Sequence, residues 1–457
     1  MYFRYTVAAP YIKYYITFEP CQPGDNKMSS RLLWIILLPL LSASALGATM
    51  NKCIQPNGHI EFTDQPCASG TAANPNPDKK IVLHIQSTGN GIDSISSITL
   101  LAGSKKEEGA IDGTGASARF NNPGGITSDG KNLYIVDTGN QTIRKLELAT
   151  GKVTTLAGRV GKRGHKDGIG NEARFNIPQG IAIDGDYLYV TDVVSYCIRK
   201  ISIRSGEVTT LAGNPGNPGR TDGTGKEATF SYPLGITAVG GYLYVTEMQN
   251  YTIRKIEIDT GKVTTFAGKT ILVKLDPSVL SNIAINVTGH DVWSHVPGYV
   301  DGTGQDARFS FPTGITNDGK NLYVSDSHNH KIRKIDIATA IVTTLAGPDE
   351  ASCAAGFKGK CPGGGSPVDG PASEARFSYP DYLATDGKYL YVDNSNNDIR
   401  RVSLATGEVK TLINRQARAT RGSEIALQLD RIWGLLISDD HSLIVADRLG
   451  NAIYRLQ

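Results

Sequence analysis

The chain is expected to be all-β: a six-bladed β-propeller of four-stranded antiparallel blades, its ring closed by an N-terminal strand, preceded by a small disulfide-linked β-hairpin module. Three observations predict this. A phrase of four short strand-like segments recurs six times at a near-constant interval. Each segment is rich in β-branched and aromatic residues and is bounded by turn dipeptides. The last repeat lacks its fourth segment, and an unattached copy of that segment stands ahead of the first.

The phrase is clearest as Gly180-Ile181, Leu188-Tyr189-Val190, Ile198-Arg199-Lys200 and Val208-Thr209-Thr210-Leu211-Ala212-Gly213. From Gly125 to Gly180 and from Gly180 to Gly235 the interval is 55 residues; it then runs 79 to Gly314, 68 to Tyr382 and 52 to Gly434. Equal units with surplus length in two places mean insertions between repeats of one supersecondary unit. Runs such as Leu133-Tyr134-Ile135-Val136 and Leu322-Tyr323-Val324 are apolar on both faces and must be covered above and below. Asp129-Gly130, Asp318-Gly319, Thr150-Gly151 and Thr260-Gly261 mark tight hairpins between them. A single sheet cannot cover both of its own faces, whereas sheets stacked radially cover one another.

The sixth repeat ends at Tyr454-Arg455-Leu456-Gln457, while Ile98-Thr99-Leu100-Leu101-Ala102-Gly103 matches Val153-Thr154-Thr155-Leu156-Ala157-Gly158. The N-terminal segment is therefore expected to complete the sixth blade and remove two sheet edges. In the fifth and sixth repeats Tyr382-Leu383 stands where Gly-Ile should, and Val409 to Ile413 lacks the Ala-Gly ending.

Ahead of the ring, residues 1–27 read as a start-site artefact, with translation beginning at Met28. Residues 28–47 read as a signal peptide: Arg31, an apolar run from Leu32 to Leu41, then small residues. Ten apolar residues interrupted by Pro39 are too few to span a bilayer, so the mature chain is expected to have no transmembrane segment and to be periplasmic or secreted. Residues 48–70 form a small β module, 71–97 a linker and 98–457 the propeller. The module runs from Cys53 to Cys67 around Asn57-Gly58, and Cys353 and Cys361 share one Gly/Pro-rich insertion; two local disulfides suit an oxidising compartment. Cys197 replaces the Thr of equivalent strands and reads as a small buried hydrophobe. The formal charge of +3 falls to about +1 without residues 1–47, which gives no electrostatic footprint for nucleic acid.

The G-I, L-Y-V-x-D, N-x-x-I-R-K and V-T-T-L-A-G segments resemble those of the NHL-repeat β-propeller family across residues 98–457. The Cys53 to Cys67 module resembles one of unknown function in proteobacterial envelope proteins. The NHL resemblance implies the fold and says little about function.

In a propeller the second-to-third and fourth-to-first connections share one face, here the elaborated one. The fourth-to-first arms repeat Asp-Gly-x-Gly followed by Ala-Arg-Phe, as at Asp112 to Phe120 and Asp301 to Phe309, and are expected on that face. One carboxylate per arm is too few for calcium, so Asp is expected to cap a turn. An acid after the second strand (Asp137, Asp192, Glu247, Asp326, Asp393, Asp447) and an Arg in the third (Arg144, Arg199, Arg254, Arg333, Arg400) read as blade construction.

Function is sought where the blades differ. The residue before each first-strand Gly reads Gly124, Gln179, Leu234, Thr313, Asp381 and Trp433, and Gln179, Thr313, Asp381 and Trp433 are the candidate binding residues. Asp381 is the sole carboxylate among them, which disfavours a metal-dependent hydrolase of the gluconolactonase kind that such blades resemble. His290, His295, His328 and His330 are candidate metal ligands, since related amidating lyases use histidines and zinc on such a propeller. No catalytic residue and no cofactor is predicted, with zinc or calcium as the alternative. The expected function is non-enzymatic binding of a protein, peptide or glycan, the alternative being a metal-dependent hydrolase or lyase.

Overall fold

The computed structural model describes residues 92, 94–105, 107–269, 298–348, 367–394, 398–413 and 429–457, and the backbone of two short strand pairs, Asn51–Ile54 with Ile60–Thr63 and Ile271–Lys274 with Trp293–Val296. The chain divides into two compact units, Met1–Gln86 and Ser87–Gln457. In the first, Asn51–Ile54 and Ile60–Thr63 pair antiparallel from Asn51↔Thr63 to Ile54↔Ile60, as the expected hairpin requires. The signal segment, the side chain of Cys53, and Cys67, Cys353 and Cys361 lie outside the described residues.

Besides the short pair Ile271–Lys274 with Trp293–Val296, the second unit carries six antiparallel sheets of four or five strands, the blades of the propeller. Blade one is Pro123–Ser128, Asn132–Asp137, Thr142–Glu147 and Lys152–Ala157; blades two, three, four and five start at Pro178, Pro233, Pro312 and Pro380. Blade six is Ile432–Ile437, Leu443–Asp447 and Ala452–Leu456, with Ile98–Gly103 as its outer strand in register Ala102↔Ile453 and Gly103↔Ala452. The ring closes as the mismatched ends predict.

Six hydrophobic clusters fill the six blade junctions. Between blades one and two, for example, Tyr134, Val136 and Ile143 pack on Ile181, Leu188 and Val190, all buried. Second-strand residues project to both faces of a sheet, so each blade contributes to two junctions. Each fully buried side chain of this size contributes about 1.5–3 kcal/mol. Turn chemistry pins the register: Asp129 accepts the amides of Lys131 and Asn132 and the hydroxyl of Tyr134 at 2.6–2.9 Å. Asp318 and Asp386 repeat this with Tyr323 and Tyr391.

The fourth-to-first arms depart from expectation. Gly113–Thr114, Gly168–Ile169, Gly223–Thr224 and Gly302–Thr303 each pair with the start of their own blade's fourth strand, which gives blades one to four a fifth strand. The Asp-Gly-x-Gly phrase thus lies at the outer rim, beside the third-to-fourth turn, where the amide of Gly115 donates to the carbonyl of Gly151. An unpaired outer strand needs such cover.

Candidate functional site

The recurring acid and arginine build the blade. In blade one, Arg144 donates to Asp137 and to the Arg119 carbonyl through Nη1, and to Asp112 and the Ile111 carbonyl through Nη2, at 2.8–3.0 Å. Its guanidinium lies 5.1 Å from the centroid of the Phe120 ring. Asp112 also accepts the amide and hydroxyl of Thr155, so one arm residue ties the third strand to the fourth. Arg199, Arg254 and Arg333 repeat the arrangement around Asp192 and Asp167, Glu247 and Asp222, and Asp326 and Asp301. Burial pushes the carboxyls of Asp137 and Asp192 up to about 6 against the opposing pull of their arginines. Ala-Arg-Phe thus supplies the ring under the guanidinium and the Asp its outer partner. Both motifs are engaged in holding the blade together.

Blade five breaks the scheme. Its register pairs Pro380 with Asn394, as Pro123 pairs with Asp137, so Asn394 and not Asp393 is the counterpart of the buried acids. Asn394 accepts the Ser378 amide at 2.7 Å as Asp137 accepts that of Asn121. Arg400 keeps its outer partner Asp369 at 2.6 Å. Asp393 occupies the next position back, on the opposite face, where blades two and three carry Thr191 and Thr246. Blade six has Tyr454 in the arginine's place, and Asp447 instead accepts the amides of Asp430, Arg431 and Gly450.

At the channel wall each blade's Gly packs against the next blade's inner strand. A Cβ on Gly125, Gly180, Gly235 or Gly314 would fall inside van der Waals contact of the carbonyl oxygen of Gln179, Leu234, Thr313 or Asp381, and on Gly434 that of Gly124. Thr246 bridges the same step by accepting the Gly235 amide and donating to the Thr313 carbonyl, at 2.8 and 2.6 Å. The channel behind this ring holds about 260 Å³ and is lined by first-strand residues such as Thr127, Ala182, Thr237 and Ala384.

The side chains that differ most from their counterparts in blades one to four gather between blades five and six. There the Gly is replaced by Tyr382 and the bridging Thr by Asp393. Asp381 is part-buried, and burial lifts its carboxyl to about 6 while Thr313, Arg431 and Arg448 pull the other way. Asp393 is buried; desolvation and then the neighbouring Asp381 push it well above the carboxylate range. Its Oδ1 and the Nε1 of Trp433 have no hydrogen-bond partner among the described residues. The Arg448 guanidinium sits 3.3 Å from the Trp433 ring centroid and donates to Asn122 at 3.0 Å; Tyr382 lies 6.2 Å from the same ring. Two acids, two guanidiniums and two aromatic rings meet at one junction. Gln179, part-buried in blade two, belongs to another sector of the rim, whereas Thr313, buried in blade four, borders this one, its hydroxyl donating to the Asp381 carbonyl at 3.4 Å.

His328 and His330 lie in the blade-four connection. His328 stacks on Phe311 at 3.9 Å, and His330 accepts the Tyr379 amide through Nδ1 at 3.2 Å. Burial and the neighbouring His328 depress His330 to about 4. His290 and the side chain of His295 lie outside the described residues. Cys197 is a free, buried thiol whose ionisation burial opposes, as a packed hydrophobe would be.

Blades of this construction define a six-bladed β-propeller, and their G-I, L-Y-V and I-R-K strands around a Gly-lined channel are similar to those of NHL-repeat proteins. The chain is 29% identical over 332 residues to Protein SUPPRESSOR OF QUENCHING 1, chloroplastic, of Arabidopsis thaliana, covering 70% of this chain and 28% of that protein. It is 27% identical over 335 residues to NHL repeat-containing protein 2 of Homo sapiens, covering 66% and 42%. The chain thus spans less than half the length of these curated relatives. A family described as Domain of unknown function (DUF4124) matches residues 37–84. The solved structure of an auxiliary nutrient binding protein from Bacteroides thetaiotaomicron VPI-5482 aligns with a TM-score of 0.51 at 14% identity, over 79% of this chain and 76% of that one, a likeness of fold alone.

Proposed function

We propose that this is an exported, non-catalytic propeller that binds a protein, peptide or glycan on its elaborated face, anchored at the mouth between blades five and six. One observation carries the reading: Asp381, Tyr382, Asp393 and Trp433, which differ from their counterparts in blades one to four, converge at a single junction, where Asp393 Oδ1 and Trp433 Nε1 are buried without partners among the described residues. A blade needs none of the four, since blades one to four are built without them. Unsatisfied buried groups cost stability and call for an explanation, and a ligand that pairs them supplies one. Residues 28–47 support export by their pattern.

The test is affinity capture from envelope extract with the parent chain and with Trp433→Ala as baits. A partner retained by the parent and lost by the variant is expected; equal recovery overturns the mouth as the anchor. Stoichiometric zinc or calcium retained after dialysis, measured by elemental analysis, would overturn the non-catalytic reading in favour of a metal-dependent hydrolase or lyase.

A further inference from the structure

Two positions in each of blades one to four take left-handed backbone on the elaborated face: the residue before the first strand's opening Pro, and the last residue of the second-to-third connection; among the described residues blade five shows the first and blade six the second. In blades one and six these are Asn122, Gln141 and Asn451, at φ 52°, 58° and 49°. Asn is among the residues that accept this conformation most readily. In blades two to five the same bends hold Tyr196, Tyr232, Tyr251, Phe311, His330 and Tyr379, at φ 56°, 52°, 58°, 52°, 56° and 48°, with Ile177 at 59°. The blade needs the bend. It does not need an aromatic ring there, and a bulky residue is a poor occupant of that backbone.

The rings meet across the blade junctions. Tyr196 of blade two contacts Tyr232 of blade three at 5.6 Å, and Tyr251 of blade three contacts Phe311 of blade four at 5.3 Å. Phe311 stacks on His328, and His328 and His330 stand edge-on to Tyr379 of blade five at 5.5 and 4.6 Å. His328 and Tyr379 are exposed, and Tyr196, Tyr232 and Phe311 part-buried. Tyr379 lies two residues before Asp381, so the arc runs into the blade five to six mouth.

We propose that this arc is a platform for a neutral oligosaccharide, a proposal that rests on the elaborated face being the ligand face. Aromatic rings offer flat apolar area with polar tips at low entropic cost, which suits the C–H faces and hydroxyls of pyranose rings. Asp381, Arg431 and Arg448 at the arc's end supply hydrogen-bonding groups for hydroxyls. A peptide joining as an extra strand finds the outer edges of blades one to four partly covered, since the start of each fourth strand is already paired. The near-neutral chain gives a polyanion no basic footprint.

The test is calorimetric titration of the full chain with cellohexaose, chitohexaose and maltohexaose, and with a proline-rich decapeptide as the competing class. At least one hexasaccharide is expected to bind saturably. The double variant Tyr232→Asn, Tyr379→Asn is expected to weaken that binding at least tenfold without lowering Tm, because Asn accepts the bends. Tyr232→Phe, Tyr379→Phe, which keeps the rings, is expected to bind within about threefold of the parent. Undiminished binding by the Asn variant overturns the arc, and equal loss in the Phe variant overturns stacking as its basis. Binding of the decapeptide alone, or of none of the four probes, overturns the glycan assignment. The broader reading falls separately, through the Trp433→Ala capture.

Discussion

Blades three and five share a strand plan and differ where it matters. In blade three Gly235 lets the inner strand of blade four approach, Thr246 bridges the two, and Glu247 with Asp222 neutralises Arg254. In blade five Tyr382 replaces the Gly, Asp393 the Thr and Asn394 the acid, so a carboxyl oxygen without a partner among the described residues stands where the bridging hydroxyl would be and the arginine keeps one carboxylate partner. Blade three shows what a blade requires. Blade five shows what this chain adds, and every addition faces the mouth or weakens the construction behind it.

The largest test of that contrast is the arginine. Arg254→Met strands a fully buried Glu247 and is expected to destabilise the fold by about 3–5 kcal/mol. Arg400→Met leaves a neutral Asn394 and a half-exposed Asp369, and is expected to cost roughly half as much. Denaturant unfolding of the two variants measures the gap; equal losses would mean that the inner acid contributes nothing. Next in size is the glycine. Gly235→Ala pushes a methyl into the Thr313 carbonyl and is expected to cost about 1–3 kcal/mol, whereas Tyr382→Phe at the equivalent position of blade five is expected to change Tm little. A larger loss from Tyr382→Phe would show that its hydroxyl braces the ring.

The architecture was legible because it is written repeatedly: two-faced apolar strands at equal spacing leave a ring as the only way to cover them, and the orphan Ile98 to Gly103 strand closes it. The outer fifth strands were not legible, because two residues such as Gly113 and Thr114 carry no periodicity and pair with a partner some 39 positions away. Asp393 was misassigned by matching acid to acid. Counting from Leu390-Tyr391-Val392 places it one residue early, and in a strand one residue is a change of face. The six-residue mouth pattern picked out Asp381 and Trp433 because both differ in kind from their counterparts in the other blades. The aromatic arc escaped, since nothing in a Tyr or Phe announces left-handed backbone, and only alignment of the bends shows that Asn122 and Tyr232 do the same task.

The smallest expected effect is the most telling. Asp393→Thr installs the residue blades two and three use, which can donate to the Trp433 carbonyl as Thr246 does to that of Thr313. The folded-state pKa of Asp393 is raised, so folding favours its protonated form. Below about pH 4, where the unfolded chain is protonated too, the carboxyl carries no ionisation penalty; the penalty grows as pH rises from there through the folded pKa. Thr does not titrate. The stability of the variant relative to the parent is therefore expected to be greater at pH 8 than at pH 4, measured by denaturant unfolding at both values. A pH-independent difference would mean that Asp393 ionises freely in the fold. A gain in stability accompanied by lost ligand binding would identify Asp393 as a residue kept for the mouth at the expense of the ring, since the repeat itself provides a better occupant for building a blade.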